Sequence, residues 1–350
     1  MPASLAICHC HIRFLTPAFL GGAHQQGQWR TPPFKALLRQ WWRVAYAASQ
    51  KFHVDVQQMR AEEGRLFGNA WLEKRVDGRT ESAACRSQIR LRLSSWRDGS
   101  LKSWGNLDSR RVTHPEVGAQ GQDVGAHLYL GYGPLTYRGG TALKVSPCIE
   151  AGEQAQMSLA YPADLNPILA ETLRLMSLYG SVGGRSRNGW GSFELGMQEQ
   201  QGPMPLRDWQ QALGLDWPHC IGQDGRGPLI WRTRDATADW RQLMRTLAEI
   251  KIQLRTHFPF GRAPVSERHW LSYPVTNHPV KAWGTLRLPN SLRFRVRKHP
   301  DDPPKLIGVI FHMPCSPPPS FTPNKVEITS VWQKVHQFLD QHPQLQRAEE

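Results

Sequence analysis

The sequence predicts an α+β fold of tandem ferredoxin-like (RRM-like) domains, the second a degraded copy of the first. Three observations predict it. The first 200 residues read as strand, helix, strands, helix, Gly-rich loop and strand, the order of a split βαβ unit that RNA-recognition domains also use. The chain's 350 residues exceed what one hydrophobic core usually serves. Near Gln200, the cluster Gly202, Pro203 and Pro205 breaks the pattern and divides 1–200 from 201–350.

Taken in order, residues 5–16 form a strand, with Leu5, Ile7, Ile12 and Phe14 at apolar positions until Thr16-Pro17 stops it. After a loop rich in Gly and Gln, Thr31 caps a helix that Pro32-Pro33 opens and that runs to about Ser49. Residues 88–95 alternate Ile89, Leu91 and Leu93 against Arg90 and Arg92, a half-buried strand. Further strands are expected at 127–132, 142–149 and 154–161. Asn166-Pro167 starts a helix carried by Ile168, Leu169, Thr172, Leu173 and Met176, and Gly180 ends it. A strand around Ser192–Leu195 closes the first domain.

In the second part, Trp240, Leu243, Met244, Leu247 and Ile250 share one helical face. Two strands, 291–297 and 305–313, flank a turn at Pro300-Asp301-Asp302-Pro303-Pro304. A final helix over 329–341 packs Trp332, Val335, Phe338 and Leu339. The repeat of the fold here rests on element order alone, since no sequence repeat links the halves.

Composition bounds the function. With 40% hydrophobic and 21% charged residues, the chain buries a real core. Lys and Arg number 43 against 29 Asp and Glu, a formal net charge of +14 that points to a polyanion partner, nucleic acid first. No long apolar span, juxtamembrane basic cluster or lipidation motif accompanies the charge, so no membrane partner is expected. Six scattered cysteines and an N-terminus unlike a signal peptide fit reduced thiols in a cytoplasmic protein. Cys8-His9-Cys10-His11 lacks a second Cys or His pair to complete a tetrahedron, and neither a metal nor a cofactor is expected.

Two segments carry the chemistry. Lys35, Arg39 and Arg43 recur every four residues and stack on one helical face, opposite Leu37, Leu38, Trp41, Val44 and Ala45. No acid intervenes between Lys35 and Arg43, and Trp42 stands among them as a base-stacking platform. From Gly180 to Ser192, two arginines, Arg185 and Arg187, lie within a run of glycines. Gly183, Gly184, Gly189 and Gly191 let backbone N–H groups converge on a phosphate, with Asn188 between them and Trp190 offering a ring to a base. The loop has neither the phosphate-binding Gly-Lys-Ser/Thr spacing nor a dinucleotide fingerprint, so nucleotide hydrolysis is unsupported. Helix face and loop are expected to form one groove fitted to a ribose-phosphate chain. Arg293, Arg295 and Arg297, alternating with Leu292, Phe294 and Val296, give the second domain a cationic edge that either binds or simply prevents aggregation.

Three stretches together resemble the CRISPR-associated RAMP superfamily: Thr16-Pro17-Ala18-Phe19-Leu20-Gly21-Gly22-Ala23, the run from Arg30 through Arg43, and the Gly-Arg-rich loop. More narrowly, they resemble the family of the first subunit of the Cmr (type III-B) complex, across about the first 200 residues. The resemblance implies tandem ferredoxin-like RAMP domains, assembly with other Cmr effector subunits, and contact with the 3′ region of CRISPR RNA and its paired target RNA. It implies RNA contact by Arg30, Lys35, Arg39, Trp42, Arg43 and the loop over 183–191. Where relatives often carry Asp after the first Gly-Gly-Ala, this chain has His24, and Gly180-Ser181 and Arg187-Asn188 stand where Gly-Gly and Arg-Arg pairs are usual. The main expectation is a non-catalytic RNA-binding subunit in antiviral defence. The alternatives are a metal-independent endoribonuclease using His24, His11 or His53 as acid or base, and a protein-interaction scaffold whose RNA binding is weak and salt-insensitive.

Overall fold

The computed structural model describes residues 4–70, 73–76, 78–82, 84–108, 110–196 and 202–348; the expected break at 200–201 lies outside them. The first sheet is built from β1 (Leu5–Phe14), β2 (Arg90–Leu93), β3 (Gln154–Pro162) and β4 (Phe193–Gly196), in the order β4-β1-β3-β2 and antiparallel throughout. Between β1 and β2 come α1 (Thr31–Ser49) and α2 (Val56–Phe67); α4 (Asn166–Tyr179) joins β3 to β4, and a short α3 (Ala126–Gly131) lies between β2 and β3. The second sheet takes β5 (Ile230–Thr233), β6 (Leu292–Lys298), β7 (Leu306–His312) and β8 (Leu345–Arg347), in the order β8-β5-β7-β6 and again antiparallel. Helices α5 (Trp240–Thr256) and α6 (Lys325–Gln341) connect β5 to β6 and β7 to β8.

Strand alternation explains the layering. On β1, Cys10, Ile12 and Phe14 turn inward, as do Met157, Leu159 and Tyr161 of β3, and they pack with Leu38 of α1 and Leu173 of α4 in one core. The far sides of the same helices meet the second sheet, with Trp41 and Tyr179 packed 6.5 and 5.0 Å from Phe311. On β7, Ile307, Val309 and Phe311 join that core, while Leu306 and Ile310 join a second core with Leu243 and Leu247 of α5 and Val335 and Leu339 of α6. The molecule is therefore sheet, helix pair, sheet, helix pair, and both cores draw residues from either side of position 200.

Three local expectations need correction. Residues 127–132 are not a strand but lie in or beside α3: the side chain of Asp108 accepts the N–H groups of His127 and Leu128 at 3.0 and 3.2 Å, fixing a helical turn from a distant segment. The strand expected over 142–149 is only Thr141–Leu143, paired with Leu135–Tyr137, followed by single bridges at Cys148 and Ile149. Thr31 is the first helical residue rather than the cap; Arg30 holds that place in extended conformation with no side-chain cap bond.

The arginines of β6 are the largest departure. Although β6 is an edge strand, Arg293 and Arg295 are buried, turned toward the first sheet's helices and β4. Arg295 donates to Phe193 O at 2.6 Å and Met176 O at 3.3 Å and lies over the Phe193 ring. Arg293 donates to the Gln40 amide oxygen in the orientation that satisfies both groups. The alternation does place them on one face; the sequence pattern does not reveal that the first sheet's helices cover that face.

Candidate nucleic-acid interface

On α1, the cationic face is real but it is not free of acid. Glu63, from α2 and almost wholly buried, accepts Nη2 of Arg39 and Nη2 of Arg43, both at 3.0 Å, and also pairs with Arg43 Nε. Asp55 caps α2 by accepting from the N–H groups of Gln57 and Gln58, and so positions this acid. Burial alone would raise the Glu63 pKa, but its bonds to Arg39 and Arg43 prevail and hold it below the ordinary carboxylate value. Lys35 donates to Ser87 Oγ at 2.9 Å; burial, then the charge of Arg39, lowers its pKa. Arg30 donates to Gly21 O at 2.6 Å and ties the helix start to the first loop. The side chains of Arg39 and Arg43 remain 37 and 39% exposed, so an anion can still reach them. Glu63→Gln strands two cations and should lower unfolding free energy by about 1–2 kcal/mol, the figure being reduced for their solvent exposure; urea unfolding of the two proteins checks it.

Trp42 is not a platform. Its ring is fully buried, 5.0 Å from Tyr46 and 6.0 Å from Phe67. Trp190 is likewise fully buried, enclosed by Phe19, Trp104, His127 and Trp240 at 5.5, 5.4, 5.6 and 6.0 Å. Neither ring can receive a base as the chain stands.

The Gly-Arg-rich loop owes its glycines to internal contacts. Gly183, Gly189 and Gly191 all have positive φ. A Cβ on Gly183 would stand 2.8 Å from Phe19 O, one on Gly189 2.9 Å from the Met244 sulfur, and one on Gly191 would overlap Val182 O. The N–H groups of Gly184, Asn188 and Gly191 already bond to Phe19 O, Arg185 O and Pro17 O, so they do not converge on a phosphate. Asn188 is a tether, donating to Leu130 O at 2.7 Å and accepting from Lys251 Nζ at 2.5 Å, and Arg187 O accepts from Phe294 N. The loop thus sits at the seam between the two sheets.

What the loop leaves outside is charge. Arg185 and Arg187 are exposed; Arg185 spends only Nε, on Tyr132 O at 2.6 Å. Arg287, also exposed, is close enough that its charge, after burial, lowers the Arg185 pKa. No carboxylate among the described residues pairs with Arg185, Arg187 or Arg287. Behind them stands Lys251 of α5, under the Phe294 ring at 5.7 Å, its pKa lowered to about 7 by burial, then by the charges of Arg255 and Arg185. Sequence reasoning missed Lys251, Arg255 and Arg287. The first two lie four apart on α5 and share a face, a readable signal; Arg287 carries none.

Helix face and loop do not form one groove. Lys35, Arg39 and Arg43 lie against α2 and Ser87, while the loop packs on Phe19, α3, α5 and β6, and the two share none of these partners. His24, His11 and His53 are exposed and lie, respectively, in the turn over 21–27, on β1 and beyond the end of α1. Cys8 and Cys10 share the inward side of β1, their sulfurs 3.6 Å apart, opposite His9 and His11.

A lysine that is half protonated near neutrality takes up a proton when an anion settles beside it. Anion binding at the seam should therefore weaken from pH 6 to pH 8 as Lys251 loses its proton, and Lys251→Met should flatten that dependence, read by RNA titrations at fixed salt.

Fold and site together define a mixed α+β protein with several small antiparallel sheets and a basic glycine-rich loop at their seam. No family model matches the chain, and no curated protein matches it. Among solved structures, it is similar to the crystal structure of Cmr1 from Pyrococcus furiosus in its apo form, at a TM-score of 0.45 and 15% identity, covering 94% of this chain and 96% of that one. No helix among the described residues is long and apolar enough to cross a membrane.

Proposed function

We propose that the chain is a non-catalytic RNA-binding subunit of a Cmr-type (type III-B) CRISPR ribonucleoprotein, acting in the cytoplasm in antiviral defence. Its partners are CRISPR RNA, paired target RNA and the other Cmr effector subunits. The observation that carries this reading is the set Arg185, Arg187 and Arg287, exposed at the seam with no carboxylate among the described residues to neutralise it, on a chain of net charge +14. The motifs at 16–23 and 30–43 support the choice of effector class. Both sheets run fourth-first-third-second in order of appearance, which supports tandem ferredoxin-like domains over 1–200 and 201–350. In such a machine base pairing selects sequence and protein holds the backbone, a task for arginines. Purification of the tagged chain from its native host, with sequencing of bound RNA and mass spectrometry of bound protein, tests this. Intact CRISPR RNA and a set of effector subunits are expected; an RNA-free protein, or unrelated partners, would overturn it.

A further inference from the structure

Three of the four faces of the two four-stranded sheets are covered. The first sheet's inner face lies under α1 and α4, and the second sheet is covered on one side by those helices and on the other by α5 and α6. The outer face of β4-β1-β3-β2 is covered by no helix or strand among the described residues. On it Leu5 and Ile7 are 60 and 65% exposed, beside exposed His9, His11 and Arg13 of β1 and Arg90 and Arg92 of β2.

Its unpaired charge is one-signed. No carboxylate among the described residues pairs with Arg13, Arg90 or Arg92, and the face's Glu194, opposite Arg13, is taken by Lys298 at 2.6 Å. The register sets Arg92, Ser158 and His9 in one row across the strands and Arg90, Ala160 and Ile7 in the next. His9 Nδ1 and Ser158 Oγ are hydrogen-bonded at 3.0 Å, which fixes the ring. Flat or apolar groups therefore lie along β1 with cations along the outer strand, and successive rows are about 6.6–6.8 Å apart.

We infer that this open sheet face is a second binding surface, and that its occupant is single-stranded RNA lying across β1 and β2. Charge complementarity selects a polyanion. The backbone of β1 and β3 is spent on the ladder, so the face offers only side chains. An acidic peptide laid there would leave its own N–H and C=O groups without partners, and peptides accordingly add to sheet edges. A sugar-phosphate chain suits the face better: its phosphates accept from arginine, and its unpaired bases rest on flat rings and apolar side chains. The surface is distinct from the seam at Arg185, Arg187 and Arg287, and the two can be tested apart.

The test uses the full chain and a labelled 20-nucleotide single-stranded RNA, titrated by anisotropy over a range of salt, with photo-crosslinking of a thiouridine version. Arg90→Ala/Arg92→Ala should weaken binding about tenfold and lower the log–log salt slope by about 1.4, the amount expected for two phosphates. Crosslinks should fall in the 5–13 peptide, and duplex RNA of equal length should bind both proteins alike. These side chains are exposed, so thermal unfolding of the variant should match the parent. Unchanged affinity and slope with no adduct in 5–13, while Arg185→Ala/Arg187→Ala/Arg287→Ala abolishes binding, would overturn this inference and leave the proposed function standing. Self-association abolished by Ile7→Asp, with unchanged RNA affinity, would overturn it too and assign the face to a second copy.

Discussion

Trp190→Ala is expected to cost about 3–5 kcal/mol of stability, because the ring is fully buried and the shell around it cannot collapse into the space. Phe19, Trp104, His127 and Trp240 come from four separate segments and all pack on this ring. The Gly189 and Gly191 backbone is held in left-handed conformations on either side of it, so the loop cannot follow a smaller side chain inward. Urea unfolding measures the cost. Full stability with selective loss of RNA affinity would mean instead that the ring is reachable by a base.

Arg295 separates two kinds of loss. Arg295→Ala leaves a cavity between the two layers and strips a donor from Phe193 O and from Met176 O in the last turn of α4, where a cation also meets the negative end of the helix. A loss of about 3 kcal/mol is expected. Arg295→Met refills much of that volume and removes a buried charge that no carboxylate among the described residues balances; burial has already pushed the guanidinium pKa down to about 9. That variant should lie within about 1.5 kcal/mol of the parent. Thermal unfolding of both decides whether volume or charge dominates, and equal losses would show that the two hydrogen bonds matter most.

Much of the framework was legible in the chain because hydrophobic period is a local property. β1, α1, β3, α4, α5, β6, β7 and α6 follow from alternation or helical spacing, with ends displaced by a few residues. What was not legible depends on distant partners. Asp108 makes a helix of an apolar run that reads equally as a strand, and Glu63 neutralises cations that look unpaired when only their own helix is counted. Alternation places Arg293 and Arg295 on one face, but only the packing of α1 and α4 shows that the face is inside. Trp42 and Trp190 stand beside arginines in the sequence, as a base-stacking platform would; aromatic rings in a large core are more often structural, and both are. The dense glycines of the loop mark close approach of chain to chain rather than chain to phosphate, and the functional charge is carried by the side chains that escape it.

The central claim is that Arg185, Arg187 and Arg287 engage an RNA backbone at the seam between the sheets. Salt titration of RNA affinity tests it most directly, comparing the parent with the Arg185→Ala/Arg187→Ala/Arg287→Ala variant. A log–log slope shallower by about 2, from three lost phosphate contacts at about 0.7 each, is the predicted result, with unfolding unchanged. Identical slopes and affinities in the two proteins would contradict the account.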